Sequence, residues 1–312
     1  MKKWFSLFLV MMLSIVLLVG CSTEPTGSEN KDADKIAGSS EKIKIGLSVS
    51  TQNNPFFVTL RDGAVKAAEQ QGVDLIVVDA QDDSAKQISD IEDLIQQGVS
   101  AIIVNPTDSA AVTSAIESAN SKNIPVITVD RSADGGVVAT HIASDNVAGG
   151  KMAGEYILEK LGNKGKVVEL EGIPGSSAAR ERGQGFHEAV DTVSDIEVVA
   201  KQAADFDRAK GLSVMENIIQ GTQEINAVFA HNDEMALGAL QALQAAGLND
   251  VIVVGFDATD DAVKAVQEGT LTATIAQKPA LMGEKAIEAA LKVIKGETVE
   301  KFIPVELELI KK

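Results

Sequence analysis

Cysteine is almost absent. The 312 residues hold one, Cys21, so neither an internal disulfide nor a cysteine metal cluster can form. Histidine is also scarce: His141, His187 and His231 are far apart and lack metal-ligand spacing. No EF-hand pattern is present. Basic residues are few, 28 against 45 acidic, a net charge of −17. Such a chain repels nucleic-acid phosphates rather than gripping them. There is no G-x-x-x-x-G-K loop, no G-x-G-x-x-G after the first apolar strand and no G-x-S-x-G elbow. Gly183-Gln184-Gly185 is too short and lies inside a helical pattern. Neither cofactor nor metal is expected, and no enzyme. His231, beside Asn232 and Asp233, is the one candidate base, and Asp130 with Asp257 could imitate a glycosidase pair. All of these adjoin residues better suited to binding. The remainder, 45% hydrophobic and 23% charged, is ordinary for a soluble globular protein and excludes collagen, coiled coil and wholesale disorder.

One long apolar run stands out. Lys2 and Lys3 precede an apolar stretch, Trp4 to Gly20, broken only by Ser6 and Ser14. This is the pattern of a signal peptide, residues 1–20. Leu18-Val19-Gly20-Cys21 is similar to a bacterial lipobox, in which the cysteine is lipidated and becomes the first mature residue. A plain membrane anchor with an incidental cysteine is the alternative. Removing the leader takes away two lysines and no acids, leaving a charge of −19. Residues 21–41 are polar and small and read as a flexible tether, so the folded body starts near Lys42.

From residue 43 onward, apolar runs alternate with segments of helical spacing. The runs are 43–50, 75–80, 101–106, 125–130, 137–143, 166–172, 196–202, 227–232, 251–257 and 272–277. Continuous Val/Ile runs between helices indicate parallel strands covered on both faces, hence a doubly wound α/β fold. Residues 80–96 and 204–220 align at a shift of 124. Either any two βα units look alike, or the chain forms two lobes of similar topology, each with a sheet of about five strands.

In open α/β sheets, ligands sit beyond the carboxyl ends of strands. Those positions hold Asn54, Phe56 and Phe57; Asn105; Asp130 and Arg131; Arg182; Phe206; His231 and Asn232; Phe256 and Asp257; and Gln277. The chain has nine phenylalanines and few other aromatics, yet Phe56, Phe57, Phe206 and Phe256 all fall here. Forked Arg donors, carboxylates and amides match vicinal hydroxyls, and aromatic faces cover the C–H faces of a sugar ring. The mixed charges argue against an anionic ligand. Each residue also has a plainer reading. Phe56 and Phe57 could be core staples, Asp130 and Asp257 helix N-caps, Arg182 a surface residue and Asn232 a turn former.

The stretches STQNNPFF (50–57), NPTDSAAV (105–112), VITVDR (126–131), HIASDNVAGGKMAG (141–154), SSAARERG (176–183), ADFDRAKGL (204–212), NDEMALGALQAL (232–243), VVGFDAT (253–259) and ATIAQKP (273–279) together carry a resemblance. Residues 43–312 resemble the type 1 periplasmic binding proteins, in particular those that deliver D-ribose to bacterial ABC importers. The resemblance implies two doubly wound parallel-sheet lobes joined by a three-strand hinge. Residues 42–144 plus 278–306 would form the first lobe and 145–277 plus 307–312 the second. It implies a monomeric, extracytoplasmic receptor, anchored by lipid on Cys21 to the outer face of the cell membrane, with a membrane permease as partner. Asn54, Asp130 and Arg131 would bond the sugar from the first lobe, with Phe56 and Phe57 packed on it. Arg182, Asn232 and Asp257 would do so from the second lobe, with Phe206 over the other face, Phe256 nearby and Gln277 at the hinge. Ser50 and Asn105 would stand behind them. His231, where the family usually has Gln, and Ala258, where it often has Gly, are departures. The alternatives are a same-fold binder of allose or an autoinducer furanose, or a ligand-sensing domain of the repressor type.

Overall fold

The computed structural model describes residues 42–312; the leader, Cys21 and the polar segment 21–41 lie outside the described residues. The chain begins β1 (Lys44–Val49), α1 (Pro55–Gln71), β2 (Asp74–Asp79), α2 (Ser84–Gln96), β3 (Ala101–Val104), α3 (Thr113–Ser121), β4 (Val126–Val129) and β5 (Val138–Ala143). It continues with α4 (Asn146–Leu161), β6 (Gly165–Glu171), α5 (Ser177–Val190), β7 (Ile196–Ala203), α6 (Arg208–Gly221), β8 (Ala227–Ala230), α7 (Asp233–Ala245), β9 (Ile252–Asp257), α8 (Asp260–Glu268) and β10 (Ala273–Ala276). The last elements are α9 (Pro279–Ile294), β11 (Phe302–Pro304) and β12 (Glu308–Lys311). The two short final strands go beyond the ten apolar runs: β11 is three residues long and ends on Pro304, and β12 is broken by Glu308 and Lys311.

Local chemistry starts the helices. The Asn54 side chain accepts from the Phe56 amide at 2.9 Å, and Pro55 opens α1. Asp83, Asp145, Asp207 and Asn232 cap α2, α4, α6 and α7 in the same way. Each cap satisfies backbone amides that the helix itself leaves unpaired.

The strands form two six-stranded sheets, ordered β11-β5-β4-β3-β1-β2 and β12-β10-β9-β8-β6-β7. All pairings are parallel except β10 with β12. Parallel pairing brings the carboxyl ends of β1, β3 and β4 to one edge of the first sheet and those of β6, β8 and β9 to one edge of the second. Apolar clusters lie on both faces of each sheet: Leu47, Leu60 and Ile287 on one side of the first, Ile91, Leu94 and Ile116 on the other. The second sheet is covered by Met215, Met235 and Leu243 on one face and Phe186, Phe229 and Phe256 on the other. The chain passes between sheets three times: after β5, after β10 and between β11 and β12.

The 124-residue repeat is structural. Gln81 and Asp82 have φ of 57° and 58°, and Asp205 and Phe206, at the same shift, 51° and 61°. Asp83 and Asp207, also at that shift, cap α2 and α6.

Three helix pairs touch backbone to backbone through reciprocal glycines. A Cβ on Gly63 of α1 would strike the Ala280 carbonyl of α9, and one on Gly283 the Leu60 carbonyl. Gly150 and Gly185 play the same parts for α4 and α5, as do Gly211 and Gly238 for α6 and α7. The α4–α5 contact falls on the Arg182 carbonyl, which ties that residue's backbone to the lobe frame.

Candidate ligand-binding site

A small cavity lies between the strand edges of the two sheets. Asn54, Phe56, Phe57, Asp130 and Arg131 line it from the first sheet's lobe; Ala178, Arg182, Phe206, Asn232 and Asp257 line it from the second. Across the cleft the Ser109 amide donates to the Gly175 carbonyl at 2.9 Å, the Ser132 amide to Ser177 Oγ at 2.9 Å, and Arg180 to Asp134 at 3.1 Å. The lobes therefore meet in a closed arrangement.

The floor is built where strands end. Asp130 follows β4 with φ 64°, and Asp257 ends β9 with φ 118°. A residue other than glycine at positive φ carries strain, which clusters at functional sites. Phe206, also lining the cavity, has φ 61°. Ala258, at φ 55°, explains why glycine suits that position.

Two carboxylates and two guanidiniums alternate in the walls. Asp130 is 3.7 Å from Arg131 Nε, and Asp257 is 3.8 Å from Arg182 Nη1. All four residues are buried. Burial pushes the Asp130 carboxyl up, with Arg131 and Arg182 opposing. Burial pushes Asp257 well above the usual carboxylate range against the pull of Arg182. Arg131 is pulled down, chiefly by burial. Among the described residues its Nε has no hydrogen-bond partner. Each guanidinium in the walls faces a carboxyl, so the site favours a neutral ligand with several donor and acceptor groups.

Aromatic rings hold the guanidiniums flat. Arg131 lies between Phe57, at 4.9 Å, and Phe206, at 5.0 Å. Arg182 stacks on Phe256 at 3.9 Å. Phe256 is fully buried and does not line the cavity. Gln277 is likewise behind the wall, where its Nε2 donates to Asp257 Oδ1 at 2.8 Å. Both therefore stand as supports in this arrangement rather than as lining residues. Asn105 donates to Asp130 Oδ2 at 3.2 Å and accepts from the Ser50 amide at 3.1 Å, so this pair also stands behind the wall.

The plainer readings hold alongside the binding ones at several positions. Asn54 and Asn232 are helix caps and also line the cavity. Phe56 and Phe57 belong to the first lobe's core and also line it. Asp130 and Asp257 cap no helix, and Arg182 is not a surface residue.

Several contributors carried no sequence signal. Ala178 offers only space. Gln87, on α2, donates to the Asn105 carbonyl at 2.9 Å and accepts from the Thr107 amide at 2.8 Å. Asn146 accepts from Arg182 Nε at 2.9 Å. Buried Asp233 accepts from Thr274 Oγ1 at 2.6 Å and the Thr259 amide at 2.7 Å, and burial raises it to about 7. A buried polar residue inside a helical pattern looks, in sequence, like any exposed one.

Among the described residues no helix is long and apolar enough to cross a membrane. The chain is 53% identical over 309 residues to the ribose import binding protein of Bacillus subtilis, covering 99% of both chains. It is 55% identical to that of Escherichia coli, covering 88% of this chain and 93% of the relative. An ABC transporter solute binding protein of Bacillus halodurans with bound myo-inositol superposes with a TM-score of 0.83 at 34% identity, over 88% of this chain and 96% of that one. A periplasmic solute binding protein of Actinobacillus succinogenes with bound D-allose gives 0.81 at 34%, over 86% and 98%. A sequence model of the periplasmic binding protein domain matches residues 45–298. With two doubly wound lobes closed over a small polar cavity, and relatives this similar along its whole length, the chain belongs to the periplasmic binding protein family.

Proposed function

We propose that the protein is an extracytoplasmic receptor that binds D-ribose between its lobes and delivers it to the membrane permease of an ABC importer. The observation that carries this reading is the cavity wall, five residues from each lobe, alternating carboxylate, guanidinium and flat aromatic face. The high identity to ribose import binding proteins supports ribose over other sugars. Asn54, Asp130, Arg131, Arg182, Asn232 and Asp257 bond the hydroxyls, and Phe56, Phe57 and Phe206 cover the ring. Residues 42–144 plus 278–306 move as one lobe and 145–277 plus 307–312 as the other, bending at the three crossings. Solved relatives hold D-allose and the cyclitol myo-inositol, so a hexose or a cyclitol is the second reading.

Calorimetric titration with ribose, allose and myo-inositol tests the choice. Ribose is expected to bind most tightly, by at least about tenfold; stronger binding of a hexose or an inositol would replace ribose as the ligand.

Anchoring is read from Leu18-Val19-Gly20-Cys21 and the polar stretch after it. Cys21→Ala is expected to abolish incorporation of labelled lipid and to leave uncleaved precursor or released protein. A variant processed and retained like the parent would remove the lipid anchor.

A further inference from the structure

Beneath Arg182 lies a buried polar chain that sugar contact does not use. Glu169, on β6, is fully buried. Its Oε1 meets His231 Nε2 at 2.9 Å, and its Oε2 meets His187 Nε2 at 2.9 Å and Lys201 Nζ at 3.4 Å. His231 is also fully buried. The Gly172 amide donates to its Nδ1 at 3.4 Å, so Nδ1 is unprotonated and the ring proton sits on Nε2, donating to Glu169. Both sides of this residue lead to the cavity wall. Its backbone carbonyl accepts from Arg182 Nη1 at 2.6 Å. Gly172 packs so closely on Phe206 that a Cβ would overlap the ring.

We propose that His231 is a proton-sensitive positioning residue, holding Arg182 and the Gly172–Phe206 contact while neutral and loosening them when protonated, so that the receptor weakens its grip on sugar in acid. This rests on reading the cavity as the sugar site. A proton on Nδ1 turns a donor against the Gly172 amide, leaving it without a partner, and adds a positive charge beside Arg182. The charged groups acting on the ring are Glu169 and Glu171 on β6 and Arg182 on α5, while His187 on α5 and Lys201 on β7 meet the other oxygen of Glu169. Burial lowers the His231 pKa most, with Glu169 opposing. The neutral ring is therefore complete above about pH 6.5, and protonation proceeds below that. His187 is raised by Asp191 and Glu169 against its own partial burial, so it charges first. That charge falls on the outer oxygen of Glu169 and leaves the inner bond intact. His141, in the other lobe, is pushed down to about 4 by burial.

His231→Gln offers one donor and one acceptor in the same places but cannot take up a proton. Ribose affinity is measured from about pH 7.5 to about pH 5 on the full protein, each variant against its own value at the higher pH. Asp130 and Asp257 titrate in both proteins, so the difference between the two profiles is read. The parent is expected to lose more affinity than His231→Gln toward the acid end of that range, by up to about tenfold per pH unit once the ring takes up a proton. His187→Gln is expected to keep the parent's profile. Equal profiles for parent and His231→Gln, or a flattened one in His187→Gln alone, would overturn the proposal. Nitrogen NMR of the parent's imidazoles gives a check without a variant: ribose should lower the His231 pKa, and an unchanged value counts against it. If Asp130→Ala, remote from this chain, leaves affinity untouched at neutral pH, the site reading fails instead.

Discussion

Asp130→Ala is expected to weaken ribose binding on the order of a hundredfold at neutral pH. A hydrogen bond to a buried charged group is worth about 1.5–3 kcal/mol, which is roughly tenfold to above a hundredfold in affinity. The loss has two parts. The sugar forfeits an acceptor, and Arg131, 3.7 Å away and buried, forfeits the anion that balances it. Asp195→Ala, at an exposed position, is the matched control and should bind as the parent does. Asp130→Asn keeps a side chain that tolerates φ near 64° and removes only the charge, separating backbone strain from electrostatics. Calorimetry reads the affinities and thermal melting checks the folds. Equal affinity for Asp130→Ala and Asp195→Ala would take Asp130 out of the site. Scattering adds the mechanical half. Because the wall takes residues from both lobes, ribose should favour the closed form by its extra contacts there. The radius of gyration should fall with ribose in the parent and stay put in Asp257→Ala at the same concentration.

Gly283→Ala is expected to be strongly destabilising for the first lobe, costing about 3 kcal/mol or more. The added Cβ would fall on the Leu60 carbonyl and lie 2.7 Å from the Ala64 amide nitrogen. Those are backbone atoms of α1, so no side chain can swing away and the helices must separate. Overpacking of a tight contact costs about 1–3 kcal/mol, occasionally more, and here it strips Leu60 and Ile287 from their neighbours. Gly221→Ala is the contrast. Gly221 ends α6 with nothing near its missing Cβ and no positive φ, so alanine should be neutral or stabilising by up to about 1 kcal/mol. Urea midpoints measure both. A parent-like midpoint for Gly283→Ala would mean that α1 and α9 are not in backbone contact.

What the sequence determined by itself was whatever rests on near neighbours in the chain. Val/Ile runs between capped amphipathic segments sufficed for alternating strands and helices, since caps such as Asn54, Asp83 and Asp207 act within three residues. The 124-residue repeat already carried the paired left-handed turns before α2 and α6. Strand-end chemistry was legible because parallel pairing puts every such end on one edge, and nine of the positions read there line the cavity. The tertiary structure decided depth and partnership. It sent Phe256 under Arg182 and Gln277 behind Asp257, brought Ala178 to the wall, and paired Phe302–Pro304 with His141–Ala143. It also joined Glu169 to two histidines, one just after β8 and one on α5. Those outcomes depend on which elements lie side by side and how closely the lobes approach, distances set by packing between residues remote in the chain.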